Sequence, residues 1–157
     1  MKAQTMAVPP LAWGPASAWI RPFDELEVGD SYVSKRRTVT ETDIVKFAQL
    51  GAEMSPRHGD PVRFGPHASG GLRAPALLAL TYSIGLVPND FVRALRRILE
   101  FEPGEPVRPG DTIHVEAEIV RLEEWTEEYG LVAGRWRIVN QDDALVASVE
   151  LEAVWIR

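Results

Sequence analysis

Residues 74–87, Ala-Pro-Ala-Leu-Leu-Ala-Leu-Thr-Tyr-Ser-Ile-Gly-Leu-Val, carry no charge and are apolar nearly all round. A surface helix needs a polar face, so a helix without one is buried on most sides. The run is too short to span a bilayer. Pro75 suits its first turn, where a missing N–H breaks no intrahelical bond. Pro88-Asn89-Asp90 ends it. Whatever else this chain folds into has to cover that helix.

The cover is legible downstream. Ile113, Val115, Ala117 and Ile119 alternate with His114, Glu116, Glu118 and Val120, the pattern of a half-buried strand. Residues 131–139 and 145–156 read as two more strands, joined by the turn Gln141-Asp142-Asp143. Residues 92–102 contain another, blurred by Arg93, Arg96 and Arg97. Upstream, residues 31–40 read as a strand that ends at Thr40. Thr40 is a helix N-cap with Asp43 in the first turn. Ile44, Val45, Phe47, Ala48 and Leu50 then form a short amphipathic helix closed by Gly51. There is no βαβ rhythm. One apolar helix and several antiparallel strands predict an α+β domain, with the sheet wrapped around the helix.

Residues 1–20 hold Pro9-Pro10 and Gly14-Pro15 and no alternation. They read as an N-terminal extension, part of which packs on the body through Trp13 or Trp19. Residues 21–157 read as one domain. Residues 52–71 are the least regular stretch, with Pro56, Pro61, Pro66 and Gly70-Gly71. Loops of that length in a compact domain are often functional.

Composition narrows the classes of function. The chain has 157 residues and no cysteine, which excludes disulfides, thiolate zinc sites and a cysteine nucleophile. A net charge of −6 makes nucleic acid an unsuitable partner. No stretch reads as a signal peptide or a membrane span, and the expected location is the cytoplasm.

Four segments, in order and spacing, resemble the MaoC-like dehydratases, which include the (R)-specific enoyl-CoA hydratases. They are residues 23–30 (FDELEVGD) with 37–44 (RTVTETDI), residues 47–58 (FAQLGAEMSPRH), residues 74–78 (APALL), and residues 106–113 (PVRPGDTI) with 139–142 (VNQD). The resemblance implies a hot-dog fold, a curved antiparallel sheet around one long buried helix, and pairing of two copies into a dimer. It implies acyl thioesters of coenzyme A or an acyl carrier protein as substrates, and addition or removal of water across a 2,3 double bond. No metal or redox cofactor takes part; coenzyme A or phosphopantetheine belongs to the substrate. The family's site motif is Gly-Asp-any-Asn-Pro-any-His. Here Ala52, Glu53, Met54, Ser55, Pro56, Arg57 and His58 occupy it, keeping the proline and histidine and changing the acid and the asparagine. Where the family has Pro-Gly or His-Gly at the helix start, this chain has Pro75-Ala76.

Hydration of an enoyl thioester needs a base for the water, an acid for C2 and a donor for the thioester oxygen. His58 and Glu53, five residues apart across the turn at Pro56, supply an acid–base pair. Ser55 orients the water or caps a turn. The N–H of Ala76 is the oxyanion donor, since Pro75 has none. The extra methylene of Glu53 leaves two readings, a shifted catalytic carboxylate or a surface residue. Arg57, Arg63 and Arg73 are either phosphate contacts or ordinary surface arginines. His67 reads as solvent-facing, and His114 as a residue on the polar face of its strand. Met54, Phe64, Tyr82 and the tryptophans line an acyl tunnel or pack the core.

Three functions from different classes follow. The first is a hydro-lyase on an acyl thioester. The second is a hot-dog thioesterase using Glu53. The third is a non-catalytic subunit that shapes a partner's pocket in a hetero-oligomeric dehydratase.

Overall fold

The computed structural model describes residues 19–51 and 72–157. A short 3-10 turn, Phe23–Glu25, leads into strands β1 (Ser31–Val33) and β2 (Arg37–Thr38). Helix α1 (Glu41–Leu50) follows, then helix α2 (Ala76–Leu86). The rest is four long strands: β3 (Val92–Pro103), β4 (Thr112–Glu124), β5 (Tyr129–Val139) and β6 (Leu145–Ile156). The strands pair antiparallel in the order β1-β4-β5-β6-β3, with β2 also on β4.

The single strand expected over residues 31–40 is two short ones. Ser34 accounts for the break. Its N–H still donates to the Val115 carbonyl at 2.8 Å, but its hydroxyl takes the Val115 N–H, also at 2.8 Å. A side chain thus replaces the ladder carbonyl, and the main chain departs before resuming at Arg37. Helix α1 starts as its sequence demands. The Thr40 hydroxyl accepts from the Asp43 N–H, and the Asp43 carboxylate accepts from the Thr40 N–H. Gly110, with φ at +93°, makes the turn before β4.

Helix α2 lies on the concave side of the sheet. Leu78, Ala79, Leu80 and Ser83 are buried, and the Ser83 hydroxyl donates to the Ala79 carbonyl at 2.7 Å. The helix is not buried on most sides, as its apolarity suggested. Leu77 is 54% exposed and Ile84 39%, so one apolar face is left uncovered in the single chain. Two core clusters share the helix. Leu80 and Val87 join Trp19, Phe23, Trp136 and Trp155 at its C-terminal half. Leu78 and Ala79 join Ile44, Ile113 and Ile138 at its start. Trp19 is only 3% exposed, and its ring meets Trp155 edge-on at 6.0 Å. Gly130 in β5 makes room for the Phe23 ring, which a side chain there would overlap.

The convex face carries the charge. Glu152 of β6 is 0% exposed and is held by Arg96 Nη1 at 2.5 Å, Arg97 Nε at 2.9 Å and Arg121 Nη2 at 2.8 Å. Neighbouring residues in a strand point to opposite faces. A register shift between Leu95 and Arg97 lets Arg96 and Arg97 reach the same carboxylate oxygen. His114 shares this face with Glu116 and Glu118, the face its alternation assigns, and is buried there at 4% exposed. No described helix is long and apolar enough to cross a membrane.

Candidate active site

The head of α2 opens on a pocket. Pro75 is its N-cap and offers no side-chain acceptor. The first N–H groups of a helix, here those of Ala76 and Leu77, have no partner within the helix itself. The approach is fixed by the Ala74 N–H, which donates to the Val107 carbonyl at 2.9 Å. Around this head lies a pocket of about 180 Å³, walled by Pro75, Ala76 and Ala79, by the residues 103–107 and by Val146.

The far wall depends on Gly104. Its N–H donates to the Val146 carbonyl and that of Glu105 to the Leu145 carbonyl, each at 2.8 Å. A β-carbon on Gly104 would overlap the Leu145 carbonyl oxygen. Gly104→Ala is therefore expected to push this wall away from β6 and destabilise the fold by about 1–3 kcal/mol, the usual cost of overpacking. Thermal unfolding checks it.

Of the residues singled out in the sequence, Pro75 and Ala76 stand at this helix head. His58, Glu53, Ser55 and Arg57 lie outside the described residues, as do Met54, Arg63, Phe64, His67 and Trp13. Glu105 was not anticipated. It lines the pocket from the β3–β4 connection, and nothing in its local sequence distinguishes it from any turn glutamate. His114 takes no part in the pocket. Burial, with the charge of Arg36, pushes its imidazole below the usual histidine range. Its Nδ1 has no hydrogen-bond partner.

Tyr82 does not line either cavity described here. Its ring packs under the Arg37 guanidinium at 3.8 Å, and the Asp43 carboxylate acts on its hydroxyl. Burial raises the Tyr82 phenol, and the Thr40 N–H is the main cause of the lowered Asp43 carboxyl. The cluster ties α1, whose end opens residues 52–71, to the middle of α2.

A second cavity, of about 60 Å³, sits at the other end of α2. Ile84 and Val87 of the helix, Val92 and Leu95 of β3, and Val132, Gly134, Leu151 and Ala153 of the sheet line it, with Trp19, Trp136 and Trp155. Those three tryptophans therefore serve both as core and as cavity wall.

Residues 27–149 match a protein family described as the FAS1-like dehydratase domain region. Protein MaoC of Klebsiella aerogenes is 34% identical over 96 residues; the match covers 59% of this chain and 29% of that protein, so the chain spans under a third of its length. Among solved structures, a monoamine oxidase regulatory protein from Archaeoglobus superposes with a TM-score of 0.78 at 31% identity, covering 87% of this chain and 95% of that one. A MaoC-like dehydratase from Rhodospirillum rubrum gives 0.71 at 25% identity, covering 87% and 97%. A sheet curved over one principal helix, a family match that spans most of the domain and these superpositions agree, and the chain belongs to the MaoC-like, hot-dog dehydratase family.

Proposed function

We propose that the chain is a hydro-lyase that adds water to a 2-enoyl thioester or removes it from a 3-hydroxyacyl thioester. The observation that carries this reading is the head of α2, which lines a pocket at Pro75 and Ala76 in a chain of a dehydratase family. In an enoyl thioester, attack of water at C3 moves electron density to the thioester oxygen. Donors fixed beforehand stabilise that charge without reorganising during the reaction. The Ala76 N–H fills this role. His58 and Glu53 act on the water and on C2, Ser55 orients the water, and Arg57 meets the phosphates of the carrier. The carrier is coenzyme A or the phosphopantetheine of an acyl carrier protein, and no metal or redox cofactor enters the reaction.

The test is the absorbance of the enoyl-thioester band with purified protein and crotonyl-CoA. Loss of the band without release of free thiol supports hydration. Free thiol supports the thioesterase instead. An unchanged band excludes hydration of this short substrate.

The same reading includes self-association. Among the described residues strand β3 is one edge of the sheet, and Leu95, Ile98 and Leu99 on it are 42–44% exposed. With Leu77 and Ile84 they form an apolar surface that a second copy would cover. Ile98→Glu is expected to convert a dimer to a monomer, as read by sedimentation equilibrium. A wild type already monomeric at micromolar concentration would point to a different subunit as partner.

A further inference from the structure

We infer that His114 is an acid-sensitive latch on the crossover between β1 and β2: when the imidazole takes up a proton it leaves its buried place and frees residues 34–36 from β4. His114 is 4% exposed, and its buried Nδ1 has no hydrogen-bond partner. A neutral imidazole tolerates this, because one of its two nitrogens carries no hydrogen. In the charged ring both nitrogens carry one. Nδ1 then becomes a buried donor on a charged group, with nothing to accept its hydrogen. A buried charge is costly unless it is both paired and hydrogen-bonded.

The charges around the ring do not supply that pairing. Glu116, two residues along β4, has one carboxylate oxygen 4.0 Å from Nε2, beyond hydrogen-bond reach. Its other oxygen is held by Arg137 of β5. Asp143, in the β5–β6 turn, attracts a charged ring, while Arg36 in the crossover and Arg137 repel it. Burial first and Arg36 second outweigh the two carboxylates, so the folded chain disfavours the charged ring.

Strand pairing decides which side gives way. On one flank His114 lies opposite Val139, within the β4–β5 ladder. On the other flank β1 ends at Val33, opposite Glu116, and β2 resumes at Arg37, opposite Ile113. Residues 34–36 therefore pass Val115 and His114 outside any strand. Two bonds fasten them to β4: the Ser34 N–H to the Val115 carbonyl, and the Val115 N–H to the Ser34 hydroxyl, each at 2.8 Å. The crossover runs on through β2 into α1, whose end opens residues 52–71. Its release gives pH a route to the candidate site. That last step rests on the hydro-lyase reading; the latch does not.

The sign is definite. A histidine that the fold holds neutral contributes stability that is complete above the free-imidazole value of about 6.5 and is lost as pH falls below it. The experiment is amide hydrogen exchange on the full-length chain at pH 7.5 and pH 5.5, each rate divided by the intrinsic rate at that pH. An opening that exposes the ring becomes more frequent by up to about tenfold between the two. The Ser34 and Val115 amides are expected to lose protection by that factor, and the amides of the β5–β6 ladder to keep theirs. His114→Gln cannot take up a proton and is expected to show no pH dependence at the two amides. His114→Phe, a ring without polar atoms, serves the same purpose should the glutamine variant fail to fold. Equal protection of Ser34 and Val115 at both pH values overturns the latch. So does a loss that persists in the variants, or one that spreads equally over the β5–β6 ladder. A chain with the expected exchange pattern that hydrates no crotonyl-CoA keeps the latch and loses only its route to the site.

Discussion

His58→Ala is expected to lower turnover of crotonyl-CoA by about a hundred- to ten-thousand-fold, the usual contribution of a positioned general acid or base. The argument is chemical. Water is far too weak an acid to lose its proton unaided at neutral pH, and imidazole titrates near 6.5 when unperturbed. Glu53→Gln separates two accounts of the altered motif. If Glu53 stands in for the family's aspartate, this variant falls by a similar factor. If its extra methylene has carried it out of the site, the variant keeps wild-type rates while His58→Ala is inactive. A misplacement of about an ångström can cost about a hundredfold, so a shifted carboxylate would leave wild type itself slow. Unfolding midpoints measured on the same samples separate lost chemistry from lost fold.

Glu152→Ala is expected to destabilise the domain by about 2–4 kcal/mol. Hydrogen bonds to a charged group contribute about 1.5–3 kcal/mol each, and three arginines converge on this carboxylate. The sum is discounted because the arginines are 37–53% exposed and return to water when released. At about 2–4 °C per kcal/mol for a domain of this size, the unfolding midpoint drops by about 4–16 °C. The pH dependence has a definite sign. Burial alone would raise the Glu152 carboxyl, but the bonds from Arg96, Arg97 and Arg121 outweigh it and lower it from its ordinary 4.5 to about 2. A depressed acid binds its proton more weakly in the folded state. Its stabilisation is fully present above pH 4.5 and disappears as pH falls toward 2. The gap between wild type and Glu152→Ala should therefore be constant at neutral pH and close over that window. A gap that persists at pH 2 would mean that packing, not charge, is what the variant loses.

Much of the fold was legible because it is written in local patterns. The alternation from Ile113 to Val120 gives β4, the Thr40–Asp43 pair gives the start of α1, and the apolar run gives α2. What was not legible depends on partners distant in sequence. Ser34 ends a strand because its hydroxyl meets Val115, and no local rule signals that. His114 keeps the face its alternation assigns, yet it is buried. The apolarity of α2 was read as enclosure by its own chain, whereas Leu77 and Ile84 are left at the surface. The candidate site was legible as a motif at residues 52–58 and a helix start at Pro75-Ala76. Glu105 escaped because only the β3–β4 connection, folded back beside Ala76, brings it to the pocket.

The register shifts of β3 have a further consequence. They fall at three places along the strand, between Val92 and Ala94, Leu95 and Arg97, and Ile98 and Glu100. A regular outer strand offers an unbroken comb of amides to any extended peptide, which is how stacked aggregates grow. Here the comb is interrupted every few residues, and Arg96 and Arg97 are clamped so that the strand cannot slide to smooth it. A flat strand finds no continuous template along it, which makes this edge a poor seed for stacked aggregates.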